Sequence, residues 1–241
     1  MVLAASGLPL ASPAAMPRAV QRISFYDLDR TVTAAPTWSR FLLGAARARA
    51  PWRLALVPVA LGWMAAHGIG LVDRTRLKRA MQALMLGPTI DAAAAKALAE
   101  TFARRVALRP GAAKRIADDR ADGYRPVLAT AANAFYAGAI ATRLGIADVV
   151  ATRSKRTPDG RLSAAIEGEN CYGAAKLTMV KAWLAAQGVL RDDARVRVYT
   201  DHRSDAALLD WADEGFAVNP HPPLARLAAA RGWPILDWGQ A

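Results

Sequence analysis

The stretch Arg22-Ile-Ser-Phe-Tyr-Asp27-Leu-Asp29-Arg-Thr31 decides the fold. Ile23, Phe25 and Tyr26 are types that favour a buried or half-buried strand. The run stops at two aspartates two residues apart, so the strand ends in an acidic turn. In open sheets built of alternating strands and helices, ligands gather outside the carboxyl ends of the strands. The turn at Asp27 is therefore the first candidate for a site.

Working outward, Pro110-Gly111 marks a boundary, and a helix is predicted over 111–121. Tyr124 to Thr130 reads as a buried strand and 134–144 as a helix. Val149–Ser154 and Arg161–Ile166 flank Pro158-Asp159-Gly160, a hairpin turn signal. A helix over 173–187, a strand from Arg195 to Thr200, a helix over 204–213, a short strand from Phe216 to Val218 and a helix over 221–231 complete the chain. Alternation of this kind predicts an α/β fold, a doubly wound, mostly parallel sheet covered on both faces. There is no internal repeat. Between the first strand and Pro110 no strand-like alternation occurs, and 89–108 reads as an amphipathic helix capped by Thr89 or Asp91. Residues 33–109 are thus expected to be a helical insert, with 22–32 and 110–241 forming the core. The insert departs where the ligand crevice lies, so a mobile lid over that crevice is expected. Residues 1–21, rich in Ala, Ser and Pro with Arg18 as their one charge, are expected to be a disordered tail. They lack the positive charge that precedes a signal peptide's apolar run, and Met16 is an alternative start.

A chain of 241 residues can bury a large core without staples. Its 54% hydrophobic and 22% charged content excludes a disordered or fibrous protein, although 56 alanines make the large apolar side chains fewer than that fraction implies. The single Cys171 excludes an intramolecular disulfide and a cysteine zinc cluster, and His67, His202 and His221 lack metal-site spacing. A reducing cytoplasm is the simplest compartment. The net charge of +12 points to an anionic partner or, because only six of the 32 basic residues are lysine, to compositional bias toward arginine. Nucleic acid is set aside: there is no stacking-sheet or helix-turn-helix signature, and an acidic cluster repels phosphate.

Leu54 to Val72 carries one polar side chain, His67, and approaches the roughly 20 residues of a membrane span. A single span would place Asp27 and Asp201 on opposite sides of a bilayer, and Pro58, Gly62, Gly68 and Gly70 break the run. Two readings survive: a buried pair of lid helices, or an apolar lid that docks peripherally on an anionic membrane surface through Arg40, Arg47, Arg49, Arg53, Arg74, Arg76, Lys78 and Arg79.

A second acidic pair, Asp201 and Asp205, follows the strand ending at Thr200. Clustered carboxylates repel one another unless a cation holds them, and oxygen ligands with partial hydration favour Mg2+. Aspartates two apart are often only turn or cap residues; the weight here comes from the set and its order. Asp27-x-Asp29-x-Thr31, then Thr130, then Lys176, then Asp201-x-x-x-Asp205 resembles the haloacid dehalogenase superfamily, and within it the subfamily IB phosphatases that include phosphoserine phosphatase-like enzymes. Ala151-Thr-Arg, Asp159-Gly-Arg-Leu, Asn170-Cys-Tyr-Gly and Ala217-Val-Asn-Pro fit the same habits, and the insert resembles a C1-type cap. The resemblance implies an Mg2+-dependent phosphomonoester hydrolase working through an aspartyl-phosphate. Asp27 would be the nucleophile and Asp29 the acid and base; Thr130 and Lys176 would bind the phosphoryl group. Mg2+ would sit on Asp27, Asp201 and the backbone carbonyl of Asp29, with Asp205 in support.

Arg30 stands where that family often has glycine, and His202 where it has a small polar residue. If position 30 needs a positive φ, arginine there costs roughly 1 kcal/mol. No acidic residue occurs from Arg30 to Val72 to hold a substrate ammonium, which disfavours phosphoserine. Trp38, Trp52, Trp63 and Met64 suit an apolar or lipid phosphate, or are ordinary packing. A soluble small-metabolite phosphatase, and a membrane-surface regulatory protein with a secondary phosphatase site, are the alternatives. The sequence does not address the oligomeric state.

Overall fold

Strand β1 (Gln21–Tyr26) alternates its side chains between two separate cores in the computed structural model, which describes residues 20–239. Ile23 and Phe25 enter one hydrophobic cluster and Tyr26 the other. This is the period-two pattern of a strand covered on both faces. The tail expected over 1–21 lies, apart from its last two residues, outside the described residues, and β1 starts at Gln21, one residue before the expected boundary.

After β1 come α1 (Trp38–Arg49), a tight 3-10 turn (Pro51–Leu56), α2 (Val57–Gly68), α3 (Arg74–Leu86), β2 (Thr89–Ile90) and α4 (Ala92–Arg105). Then follow α5 (Pro110–Ala121), β3 (Arg125–Asn133), α6 (Ala134–Arg143), β4 (Asp148–Arg156), β5 (Leu162–Glu167) and α7 (Ala174–Ala186). The chain ends with β6 (Ala194–Thr200), α8 (Ala206–Trp211), β7 (Glu214–Val218), α9 (Pro222–Arg231) and β8 (Ile235–Leu236). The strands form one eight-stranded sheet in the order β2-β5-β4-β3-β1-β6-β7-β8. The pairs from β4 through β8 are parallel; β5 runs antiparallel to both β4 and β2. Helices α7, α8 and α9 cover one face, while α5 and α6 cover the other together with α1, α3 and α4. The expected doubly wound α/β architecture is what forms.

Several expectations need correction. Segment 33–109 is not wholly helical, because Thr89 and Ile90 pair with Ser163 and Leu162. Two residues are too few to show alternation, so this strand leaves no pattern to read. The helix expected over 89–108 begins at Ala92, where the Asp91 carboxylate accepts from the Ala94 amide at 2.9 Å. The helix expected over 204–213 is split into a 3-10 turn (Arg203–Asp205) and α8. Strand β8 was not expected. Of the two readings of 54–72, full burial fails: Ala60 alone in α2 is buried, and none of the preceding turn is. Among the described residues, no helix is long and apolar enough to cross a membrane.

The inserted segment leaves and rejoins the sheet along one paired path. The Ala34 amide donates to the Ala107 carbonyl at 3.0 Å, the Arg109 amide to Val32 at 2.9 Å, and Thr33 bridges Leu108. Ala95, Ala99 and Ala103 are buried on α4, in sequence spacing that turns one small-residue face inward.

Strands β1 and β6 are pinned at the end that matters. Tyr26 and Tyr199, paired across the two strands, stack with ring centroids 4.8 Å apart. Their hydroxyls reach the fully buried Asp119 on α5, at 2.5 and 3.2 Å, and Arg197 donates to the same carboxylate at 2.8 Å. Removing a buried carboxylate from such a set strands its partners. Asp119→Ala should therefore cost about 3 kcal/mol of stability, read as a lower urea midpoint at unchanged slope; a loss under about 0.5 kcal/mol would show that the tyrosines hold without it.

Candidate active site

Asp27 follows the last residue of β1, and its amide donates to the Tyr199 carbonyl of β6 at 2.9 Å. The neighbouring strand thus carries the chain into the acidic turn. The turn Leu28–Val32 is kinked, with Asp29 extended and Arg30 at φ +63°. Position 30 does adopt the conformation that glycine favours, and arginine occupies it at a cost of roughly 1 kcal/mol. The Arg109 guanidinium donates to the Arg30 carbonyl at 2.9 Å and braces the turn.

Lys176, in the first turn of α7, is the centre of the site. Its buried Nζ donates to Asp27 Oδ1 at 2.7 Å and to Asp205 Oδ2 at 2.6 Å. The Thr200 hydroxyl also donates to Asp205 Oδ2, at 2.9 Å. Burial works against the ammonium, but Asp205 and Asp27 outweigh it and hold the Lys176 pKa above its ordinary value. Asp27 is pushed up to about 7: burial raises it, Lys176 opposes, and Asp205 and Asp201 add repulsion. Asp201 is pushed up to about 6 by burial and by Asp205. One ammonium does not neutralise this many carboxylates.

The Thr31 hydroxyl lies 3.5 Å from Asp27 Oδ2 and 3.4 Å from Asp201 Oδ1, so those two carboxylates flank a single point. Among the described residues no three His, Cys, Asp or Glu side chains form a ready-made metal cage. The donor set nonetheless fits Mg2+, which takes one or two carboxylates and keeps several waters. Asp27 and Asp201 offer hard oxygen donors, and their pKa values are raised by burial first and then by repulsion from neighbouring carboxylates.

Asp29 is held by a residue the sequence reading missed. Its Oδ1 accepts from the Thr37 amide at 2.8 Å and from the Thr37 hydroxyl at 2.6 Å, and the Tyr136 hydroxyl lies 3.3 Å from that of Thr37. Burial raises the Asp29 pKa, and the two Thr37 bonds counter it. Thr130 is buried in β3 and accepts from the Ala132 amide at 3.0 Å. Asp27, Asp29, Thr130, Lys176, Asp201 and Asp205 all line one hollow of about 310 Å³, so the whole predicted set converges.

Other residues at the hollow are not read from the sequence as part of this site. Arg74 at the start of α3 lies over the Tyr172 ring, 4.0 Å from its centroid. His202 stacks on His221 at 4.2 Å although the two are far apart in sequence. Beneath the hollow, Lys78 reaches from α3 to donate to the Ala131 carbonyl and to Asn170 Oδ1. Burial, then Arg74, lower the Lys78 pKa to about 8. A lysine in a basic helical stretch reads as solvated; only the packing shows it turned inward. In the sequence Trp38, Trp52, Trp63 and Met64 are open to two readings, a leaving-group surface or ordinary packing, and the hollow does not favour the first. None of them lines this hollow, and Trp52 and Trp63 line two others.

A family model described as haloacid dehalogenase-like hydrolase matches residues 25–210. The chain is 28% identical over 117 residues to a histidinol-phosphatase of Neisseria meningitidis, a match covering 48% of this chain and 53% of that protein. The chain thus spans about half the length of that curated relative. A crystal structure of a Bordetella pertussis protein of unknown function superposes with a TM-score of 0.80 at 27% identity, covering 91% of this chain and 100% of that one. A substrate-bound phosphoserine phosphatase shares the fold, with a TM-score of 0.61 at 17% identity over 90% of this chain and 92% of that one.

The titrations make a test that needs no substrate. Folded and cation-free, Asp27 titrates near pH about 7 and Asp201 near about 6, against an ordinary 3.8. The folded state then binds more protons than the unfolded one across that interval. Their contribution to stability is full below pH about 4 and is lost as the pH rises through about 6 and 7. Denaturant midpoints in EDTA should fall across this window, and Asp27→Asn should flatten the fall. Mg2+ should raise the midpoint at pH about 8 and hardly at pH about 4, where protons occupy the carboxylates. An equal effect at both ends would reject a cation held by Asp27 and Asp201.

Proposed function

We propose that this chain, which belongs to the haloacid dehalogenase-like hydrolases, is a phosphomonoester hydrolase that works through an aspartyl-phosphate on Asp27. The observation that carries the reading is the buried Lys176 ammonium, 2.7 Å from Asp27 and 2.6 Å from Asp205, in one hollow with Asp29 and Thr130.

Attack on a phosphate dianion by a carboxylate needs charge neutralisation and alignment more than covalent help. Lys176 supplies both, fixing Asp27 Oδ1 and leaving Oδ2 with only the 3.5 Å contact from the Thr31 hydroxyl. Asp27 forms a bond to phosphorus as the ester P–O bond breaks, and Asp29 gives its proton to the departing oxygen. Burial raises the Asp29 pKa, which favours the protonated form that an acid needs. Asp29 then takes a proton from the attacking water, the Asp27–phosphorus bond breaks, and inorganic phosphate leaves. Thr130 holds a phosphoryl oxygen throughout. Asp27, Asp201 and the Asp29 carbonyl would hold Mg2+, which when bound neutralises phosphoryl charge. Residues 33–109 act as the cap: from this segment Thr37 holds Asp29, and Arg74 lines the hollow.

The lining adds Arg30, Arg74 and His202 but no carboxylate outside the reactive set, which supports a neutral or anionic leaving group and not an ammonium. We favour an apolar or lipid phosphomonoester, reached from the exposed apolar surface of α2. A soluble small ester is the second reading, supported by the modest hollow and the likeness to a histidinol-phosphatase. Phosphate release should be measured with Mg2+ against p-nitrophenyl phosphate, phosphoserine, sugar phosphates, lysophosphatidate and phosphatidylglycerophosphate. Asp27→Asn should lower turnover by at least about 10³-fold with the fold intact. Full activity in that variant would reject the mechanism. Preference for the lipids would select the first substrate class, and activity on soluble esters alone the second.

A further inference from the structure

The geometry points to the surface formed by the Pro51–Leu56 turn, α2 and the turn after it as a docking site for an anionic lipid bilayer. The inference does not depend on the catalytic reading. Ten large apolar side chains are exposed among the described residues, and seven of them fall between Leu43 and Leu71. Trp52 is 64% exposed, Ile69 74% and Leu71 73%. Between them α2 is apolar around its whole circumference except for His67, yet packs inward only through Ala60 and the half-buried Val57 and Trp63. A helix that is apolar all round is normally covered.

Two features choose the occupant. Arginines adjoin the apolar surface on both sides: Arg49 and Arg53 line a hollow with Trp52, and Arg76 and Arg79 line another with Trp63. Arg53 also lies 4.6 Å from the Trp52 ring centroid. No acidic residue occurs from Arg30 to Val72. A second copy of the chain is a poor partner, because a two-fold interface sets a patch against itself and would oppose arginine to arginine. An anionic bilayer takes both parts, with apolar side chains entering the acyl boundary and guanidinium groups among phosphates. The twelve residues of α2 are too few to span, so the helix lies in the interface plane. Leu71 is three residues before Arg74, which lines the catalytic hollow, so docking would bring the hollow to the lipid surface.

The test is flotation of the full chain with vesicles of phosphatidylcholine alone or mixed with phosphatidylglycerol. The protein should float with the mixed vesicles and be released by high salt. Ile69→Ser/Leu71→Ser should weaken the partition by about tenfold or more, with the thermal midpoint and turnover of p-nitrophenyl phosphate unchanged. Arg49→Gln/Arg79→Gln should weaken it on anionic vesicles by about tenfold as well. No flotation, or flotation indifferent to both double variants, would overturn the proposal. So would a dimer in light scattering that Ile69→Ser/Leu71→Ser dissolves while vesicles remain unbound. Catalytic failure with intact flotation would count against the hydrolase reading alone.

Discussion

One buried ammonium among three carboxylates is the constraint from which this molecule is best understood. Lys176 sits between Asp27 and Asp205, each delivered by a different segment of the chain. Such a group tolerates burial only when its partners are in place, since stranding either charge costs several kcal/mol. The ends of β1 and β6 and the start of α7 must therefore meet within hydrogen-bond distance. The stacked Tyr26 and Tyr199, tied to Asp119, make the strand ends rigid enough for that. Negative charge is left over beyond what Lys176 balances, and Arg74 lines the same hollow from the inserted segment.

The core of the fold was legible because its signals are local and repeated. β1, β3 and β6 are strands with buried apolar or alternating side chains; Asp27 directly follows β1, Thr130 lies within β3, and Asp201 directly follows β6. The candidate residues that line the hollow were legible because most stand just after a strand or at the start of a helix, where sequence position nearly determines location; Thr130 lies within β3. What escaped the sequence depends on neighbours. Thr37 is one threonine among several until it meets Asp29, and Lys78 resembles its solvated neighbours until α3 turns it inward. β2 and β8 have two residues each and exist through their pairing with β5 and β7. The tryptophans stayed ambiguous because size alone does not separate a substrate surface from packing: Trp52 is exposed, and Trp63 packs beside α3 and β5.

The same contrast runs through the inserted segment. α4 joins the sheet's own core through a row of alanines, which permits close approach but buries little area per residue. Its far part, α2, puts large apolar side chains outward. Stability is thus concentrated near the sheet and unsatisfied surface at the periphery, the division expected of a protein whose outer elements have an external partner.

The paired crossing at Val32–Ala34 and Ala107–Arg109 has a consequence for how such a chain diversifies. Both connections pass side by side and hydrogen-bond to each other, and the inserted segment also meets the sheet through β2 and through the core under α1, α3 and α4. The outermost part, α2 and the turn before it, can lengthen, shorten or change its surface without altering the distance the crossing spans. The outer surface can thereby change while the residues that line the hollow keep their places.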